Sequence, residues 1–203
     1  LGELGTDVFD VTERVLASIS TTETPQGIVA TARIPDTSAR EFSTMSAILV
    51  ADRISDPGNL GTLARTAAAT GAGLWMTVGS TDLFDAKTLR ASAGAAFLLP
   101  VRQRLTADNI IATCRRFGLR LFAADAGGRH RYDEVDWRSP FAIVIGNEAH
   151  GVDRAFLDAA DAVVHLPMQP GVESLNAAVT GSVCLFEAVR QRTARTSPPS
   201  SSL

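Results

Sequence analysis

From Ser46 onward, short apolar runs alternate with longer segments of helical period, and this alternation constrains the fold more than any other feature. Runs at 46–51, 73–78, 97–100, 119–124, 141–145 and 162–166 read as strands. The segments at 59–70, 85–93, 106–117, 152–158 and 174–192 read as helices. Parallel strands need crossover connections, and helices supply them. The pattern therefore predicts an α/β domain, a mainly parallel sheet flanked by helices on both faces. Phe141 to Ile145 is apolar at every position, as suits a strand buried on both sides.

The first 45 residues are of a different kind. Val8 to Ile19 reads as a helix, Gly27 to Arg33 as a short strand, and Pro35 to Thr44 as a linker. From Thr193 the chain runs to SPPSSSL, which reads as a disordered tail. The expected division is 1–45, 46–192 and 193–203. A chain of 203 residues that is 45% hydrophobic and 20% charged suits one well-buried domain with an appendage. No apolar run approaches the roughly 20 residues of a membrane span. The acidic, mixed start does not read as a signal peptide. These features lead us to expect a cytoplasmic protein.

Cys114 and Cys184 fall in expected helices without metal-type spacing, and His130, His150 and His165 are scattered, so no metal site is expected. The net charge of −3 argues against a globally basic nucleic-acid binder. The basic residues are nonetheless 18 arginines and the single Lys87. Arginine suits bidentate phosphate contacts, and Arg102, Arg104, Arg115, Arg116, Arg120, Arg129 and Arg131 can form either local patches or ordinary solvated faces.

Three segments carry chemistry. The first is Ile48 to Gly73, with a turn at Asp56-Pro57-Gly58 and a helix expected to open at Asn59, which can cap it. Arg65 is the one charged side chain of that helix. An Asn and an Arg thus stand past the carboxyl end of a strand, where open parallel sheets bind ligands. A plain βα turn with a solvated arginine is the alternative. In the second, FAIVIGNEAHGV, Glu148 follows a buried strand immediately. The third runs from Val163 to Arg190. Pro167, Pro170 and Gly171 exclude regular helix there, Ser174 is expected to open the last helix, and Leu175, Ala178, Val179, Val183, Phe186 and Val189 form its apolar face.

Together and in this order the segments resemble the SpoU/TrmH family of RNA ribose 2′-O-methyltransferases, within the SPOUT superfamily. The resemblance rests on Asp56-Pro57-Gly58-Asn59-Leu60-Gly61 with Arg65-Thr66-Ala67, on Gly146-Asn147-Glu148 with Gly151, and on Leu166-Pro167-Met168 with Ser174-Leu175-Asn176 and Glu187. A fourth stretch, Lys87 to Val101, is similar to the family's KxxRASxGxxFxLPV. The similarity covers roughly Ile48 to Arg190. Ala149-His150 and the run Ala67-Ala68-Ala69 depart from the residues many members carry there.

The resemblance implies a C-terminal deep trefoil knot that forms a pocket for S-adenosylmethionine, and a homodimer packed around the first and last helices of the catalytic domain. It implies catalytic roles for Arg65, Asn59, Glu148, Ser174 and Asn176. It places the cofactor against Ala124, Gly146, Leu166, Met168 and Leu175, largely through backbone groups, and RNA against Lys87 and Arg90. Since guanidinium does not readily lose a proton, Arg65 is read as orienting the ribose and stabilising a developing oxyanion. Relatives with an N-terminal RNA-binding domain suggest that residues 1–45 are the remainder of one, and the QGIVATARIP stretch tilts the expected substrate toward 23S-type rRNA, with tRNA the alternative. A catalytically inactive RNA-recognition module with the same pocket stays open. A nucleotide-dependent oxidoreductase is disfavoured, since no GxGxxG follows the first strand.

Overall fold

The computed structural model describes residues 7–22, 24–35 and 45–194. Most of the expected linker and the tail beyond 194 lie outside them. The chain divides into two units, Leu1–Pro35 and Asp36–Leu203. In the first, helix α1 spans Glu13–Ile19, shorter than the sequence predicts, with Thr12 as its cap. Gly27 to Arg33 forms no strand.

The second unit is built on one sheet. Its strands are β1 (Ala47–Ala51), β2 (Gly73–Thr77), β3 (Val101–Leu105), β4 (Arg120–Ala124), β5 (His130–Arg131), β6 (Phe141–Ile145) and β7 (Ala162–His165). Its helices are α2 (Pro57–Thr70), α3 (Ala86–Ser92), α4 (Ala107–Phe117), α5 (Arg154–Ala159) and α6 (Ala177–Thr193). The strand order is β3-β2-β1-β6-β4-β7-β5, and every pairing is parallel. The sheet is the expected α/β architecture.

Alternation along the strands sorts the core into two layers. Leu49, Ala51, Ile143 and Ile145 join α2 and α6 residues such as Leu63 and Cys184 on one face. Ile48, Val50, Ala142 and Val144 pack with Ile110, Cys114 and Phe156 of α4 and α5 on the other. Close approach of α2 to its neighbours needs glycine twice. A Cβ on Gly61 would stand 2.4 Å from Ala91 Cβ, and one on Gly181 of α6 would stand 2.5 Å from Leu63.

In this second unit four further sequence expectations are corrected. The stretch 97–100 is not a strand. A 3₁₀ turn occupies Ala95–Phe97, and the strand follows at β3. Pro100 has no N–H to donate, so only its carbonyl joins the ladder, accepting from Leu74. Helix α2 opens two residues early. Asp56 caps it by accepting from the Asn59 N–H, and Pro57 takes the first helical position. Helix α6 opens three residues late, at Ala177, capped by Asn176 and not begun by Ser174. Finally, the buried face of α6 is Ala177, Ala178, Gly181, Cys184, Leu185, Glu187 and Ala188, whereas Val179 and Phe186 are exposed. The sequence also gives no sign of the two-residue edge strand β5.

Candidate active site

At the carboxyl ends of β4, β6 and β7 the chain encloses a cavity of about 500 Å³. Ligand sites of parallel sheets lie at this end. Three loops wall it, after β4 (Ala124 to Ala126), β6 (Gly146 to Gly151) and β7 (Leu166 to Asn176), and the first turn of α6 closes it.

The mouth of the cavity is tied by hydrogen bonds between residues far apart in sequence. Moving the α2 cap to Asp56 frees the Asn59 side chain. Its Nδ2 donates to Glu148 Oε1 at 2.6 Å, and its Oδ1 accepts from Asn176 Nδ2 at 2.8 Å. The chemistry dictates the orientation: an ionised carboxylate only accepts, so Asn59 must turn its amide nitrogen to Glu148. Asn176 Oδ1 is spent on the Ala178 and Val179 N–H groups, which leaves its nitrogen to donate to Asn59. One Asn from each of two signature segments thus fixes the Glu of the third, whose second carboxylate oxygen makes no hydrogen bond to a described residue.

The turn that carries Glu148 is anchored below. Asn147 Nδ2 donates to the Arg53 carbonyl at 2.8 Å, and its Oδ1 accepts from the Ala149 and His150 N–H groups. Arg53 holds φ of 56°, a left-handed conformation uncommon for a side-chain-bearing residue. Buried Asp52 stabilises that corner, accepting from the Arg53 guanidinium, from Thr77 Oγ1 and from the Asp153 N–H.

Of the residues singled out from sequence, Ala124, Gly146, Glu148, Leu166, Met168, Ser174, Leu175 and Asn176 line the cavity. Asn59 joins them through its hydrogen bonds. Arg65 does not. It lies about 9 Å further along α2 and about 120° around it from Asn59. It is exposed and makes no hydrogen bond or ion pair to a described residue. Lys87 and Arg90 lie one turn apart on the exposed face of α3, away from the cavity lining. Sequence reasoning missed Asp125, Asn147 and His165. Asn147 was legible inside the second signature. His165 precedes Leu166 directly, and its buried Nδ1 has no hydrogen-bond partner among the described residues.

Burial pushes the Cys114 and Cys184 thiols up to about 12, which keeps them protonated and poor nucleophiles. Among the described residues no group of three or more His, Cys, Asp or Glu is arranged to hold a metal.

The chain is similar to known proteins in sequence and in fold. The SpoU rRNA Methylase family matches residues 46–186. The 23S rRNA (guanosine(2553)-2′-O)-methyltransferase RlmP of Bacillus subtilis is 33% identical over 187 residues, 91% of this chain and 73% of that protein. A solved RNA 2′-O ribose methyltransferase superposes with a TM-score of 0.80 at 35% identity, over 91% of this chain and 72% of its own. The SpoU methyltransferase AviRb from Streptomyces viridochromogenes, solved in complex with the cofactor AdoMet, gives 0.68 at 33% identity over 72% of this chain and 60% of its own.

Proposed function

The chain belongs to the SpoU rRNA methylase family, and on that premise we propose that it methylates a ribose 2′-hydroxyl of RNA with S-adenosylmethionine as the donor. The observation that carries this reading is the Asn176–Asn59–Glu148 chain, which gathers the three signature segments at the mouth of one cavity.

The cavity suits that cofactor. Its volume falls in the range of small-molecule sites. Ile145, Val164, Leu166 and Met168 supply apolar wall, and the loops supply backbone groups at Gly146, Leu166, Met168 and Leu175 beside Ala124. Bound there, S-adenosylmethionine supplies an electrophilic methyl group. The protein's task is to position a poor nucleophile, exclude water and let its proton leave. Glu148 offers its second oxygen, which bonds no described residue, to that proton, and Asn59 and Asn176 hold it in place. Ser174, exposed at the rim, hydrogen-bonds the RNA. Arg65 grips the ribose or its phosphate and stabilises the oxygen as charge develops. Lys87 and Arg90 hold flanking phosphates.

The substrate in this reading is 23S-type rRNA, as the name of the Bacillus subtilis relative suggests, and the site of action is the cytoplasm. Among the described residues no helix is long and apolar enough to cross a membrane. The C-terminal segment forms the deep trefoil knot, and a crystal structure whose backbone closes no knot overturns that part. The test of activity uses tritium-labelled S-adenosylmethionine with rRNA and with tRNA. We expect label in rRNA, recovered in alkali-resistant dinucleotides because a 2′-O-methyl group blocks hydrolysis of its linkage. Label on a base, or none in either RNA, overturns the assignment.

The reading includes a homodimer. Leu175, Val179 and Phe186 are exposed by 41%, 47% and 54% at and along α6. A second copy covering that face buries at least about 800 Å² per partner, the scale of a stable interface. Sedimentation equilibrium at micromolar concentration should give twice the chain mass, and a single 21.4 kDa species excludes the dimer.

A further inference from the structure

Among the described residues lining the cavity, Asp125 and Glu148 are the only acidic ones, and none is Lys or Arg. The two acids are differently engaged. Glu148 gives an oxygen to Asn59. Asp125 is fixed through its backbone, its N–H donating to the Val164 carbonyl at 3.0 Å and its carbonyl accepting from the Gly128 N–H at 3.0 Å. Gly128 is itself locked against β7, where a Cβ would stand 2.8 Å from the Val163 carbonyl oxygen. Asp125 Oδ1 accepts from the Gly127 N–H at 2.8 Å. Oδ2 makes no hydrogen bond to a described residue, and it lies 3.8 Å from where a Cβ on Gly151 would stand. A half-buried carboxylate is thus held in advance on the cavity wall, facing the turn that carries Glu148.

We propose that Asp125 is a specificity-determining residue that makes this cavity prefer the cationic methyl donor to its neutral thioether product. The inference rests on the methyltransferase reading. S-adenosylmethionine and S-adenosylhomocysteine share the adenosyl and amino-acid groups, so backbone and apolar contacts hold both alike. They differ by one methyl group and by the positive charge of the sulfonium, which transfer removes. An anionic group on the protein acts on the charge part of that difference, and a carboxylate already oriented needs little rearrangement to do so. Product then leaves more readily than donor, which limits product inhibition.

The test is calorimetric binding to the full chain and to Asp125→Asn, with no RNA present. The variant keeps the Oδ1 acceptor for Gly127, removes the charge and turns Oδ2 into an amide donor. Three probes separate charge from shape: S-adenosylmethionine, S-adenosylhomocysteine, and sinefungin, whose ammonium group replaces the sulfonium. We expect the two cations to weaken together, on the order of five- to tenfold for one partly solvated charge pair, and the neutral product to stay within about twofold. Equal losses for all three, or no loss for any, overturn the inference. Failure of the wild-type chain to bind any of them overturns the methyltransferase reading and this inference with it.

Discussion

Replacing Arg65 with alanine should remove nearly all methyl transfer and leave cofactor affinity within about threefold. The two effects separate because of where the side chain stands. Arg65 is exposed on α2, outside the cavity lining and outside the Asn176–Asn59–Glu148 chain, so its loss disturbs neither. Its donors are unclaimed by any described residue, and an always-charged guanidinium suits a phosphate or a developing oxyanion better than it suits proton removal. Losing a donor to such an oxygen costs about 10²- to 10³-fold in rate. Arg65→Lys keeps the charge but loses the fork, and should recover only part of it. Calorimetry beside a tritium-transfer assay measures both quantities. A variant that retains most of its turnover refutes the role, and one that loses cofactor binding in step with activity moves Arg65 to the cavity.

Gly146→Ala should have the opposite signature, with cofactor binding failing first. A Cβ on Gly146 would stand 2.2 Å from the Gly151 carbonyl carbon and from Val152 N, and 2.5 Å from the Gly151 oxygen. These are backbone atoms of the turn that carries Glu148, and they cannot swing aside as the end of a side chain can. Asn147 bridges to Gly151 within the same turn, its carbonyl accepting the Gly151 N–H at 2.8 Å. Relief therefore means displacing the turn as a unit. That pulls Glu148 from Asn59 and Asn147 from the Arg53 carbonyl. Overpacking of this kind costs about 1–3 kcal/mol, and backbone against backbone belongs at the upper end. We expect cofactor affinity to fall by more than about tenfold and the urea midpoint to drop with it. Wild-type affinity in a folded Gly146→Ala protein would show that the cofactor does not use this loop.

The contrast between these variants follows from how the site is assembled. Asn59 and Glu148 are 89 positions apart, and Asn176 lies 117 beyond Asn59. The parallel sheet brings the three ends of chain to one edge because each strand presents its carboxyl end there.

The sequence by itself determined the alternation of buried strands and covering helices, because a strand buried on both faces is apolar throughout and its crossover helix is periodic. It also determined which short segments carry polar groups at strand ends, since Asn, Glu and Ser there have no packing reason to be present. Only the tertiary structure decided what those groups touch. Asp56 and Asn59 are both good capping residues, and the choice between them lay with Pro57, which suits the first helical position. Once Asp56 held the cap, Asn59 was free to reach across to Glu148. The 97–100 run is apolar enough for a strand, yet a proline that cannot donate keeps the chain off the sheet until Val101, where Val-Arg-Gln-Arg-Leu alternates as an edge strand does. On α6 the period of three and four was real, but the face it marked is partly exposed, because small residues beside it pack more closely on α2. Asp125 and His165 carry no local signal at all. They line the cavity only because β4 and β7 pair in register, and register is a property of the folded sheet.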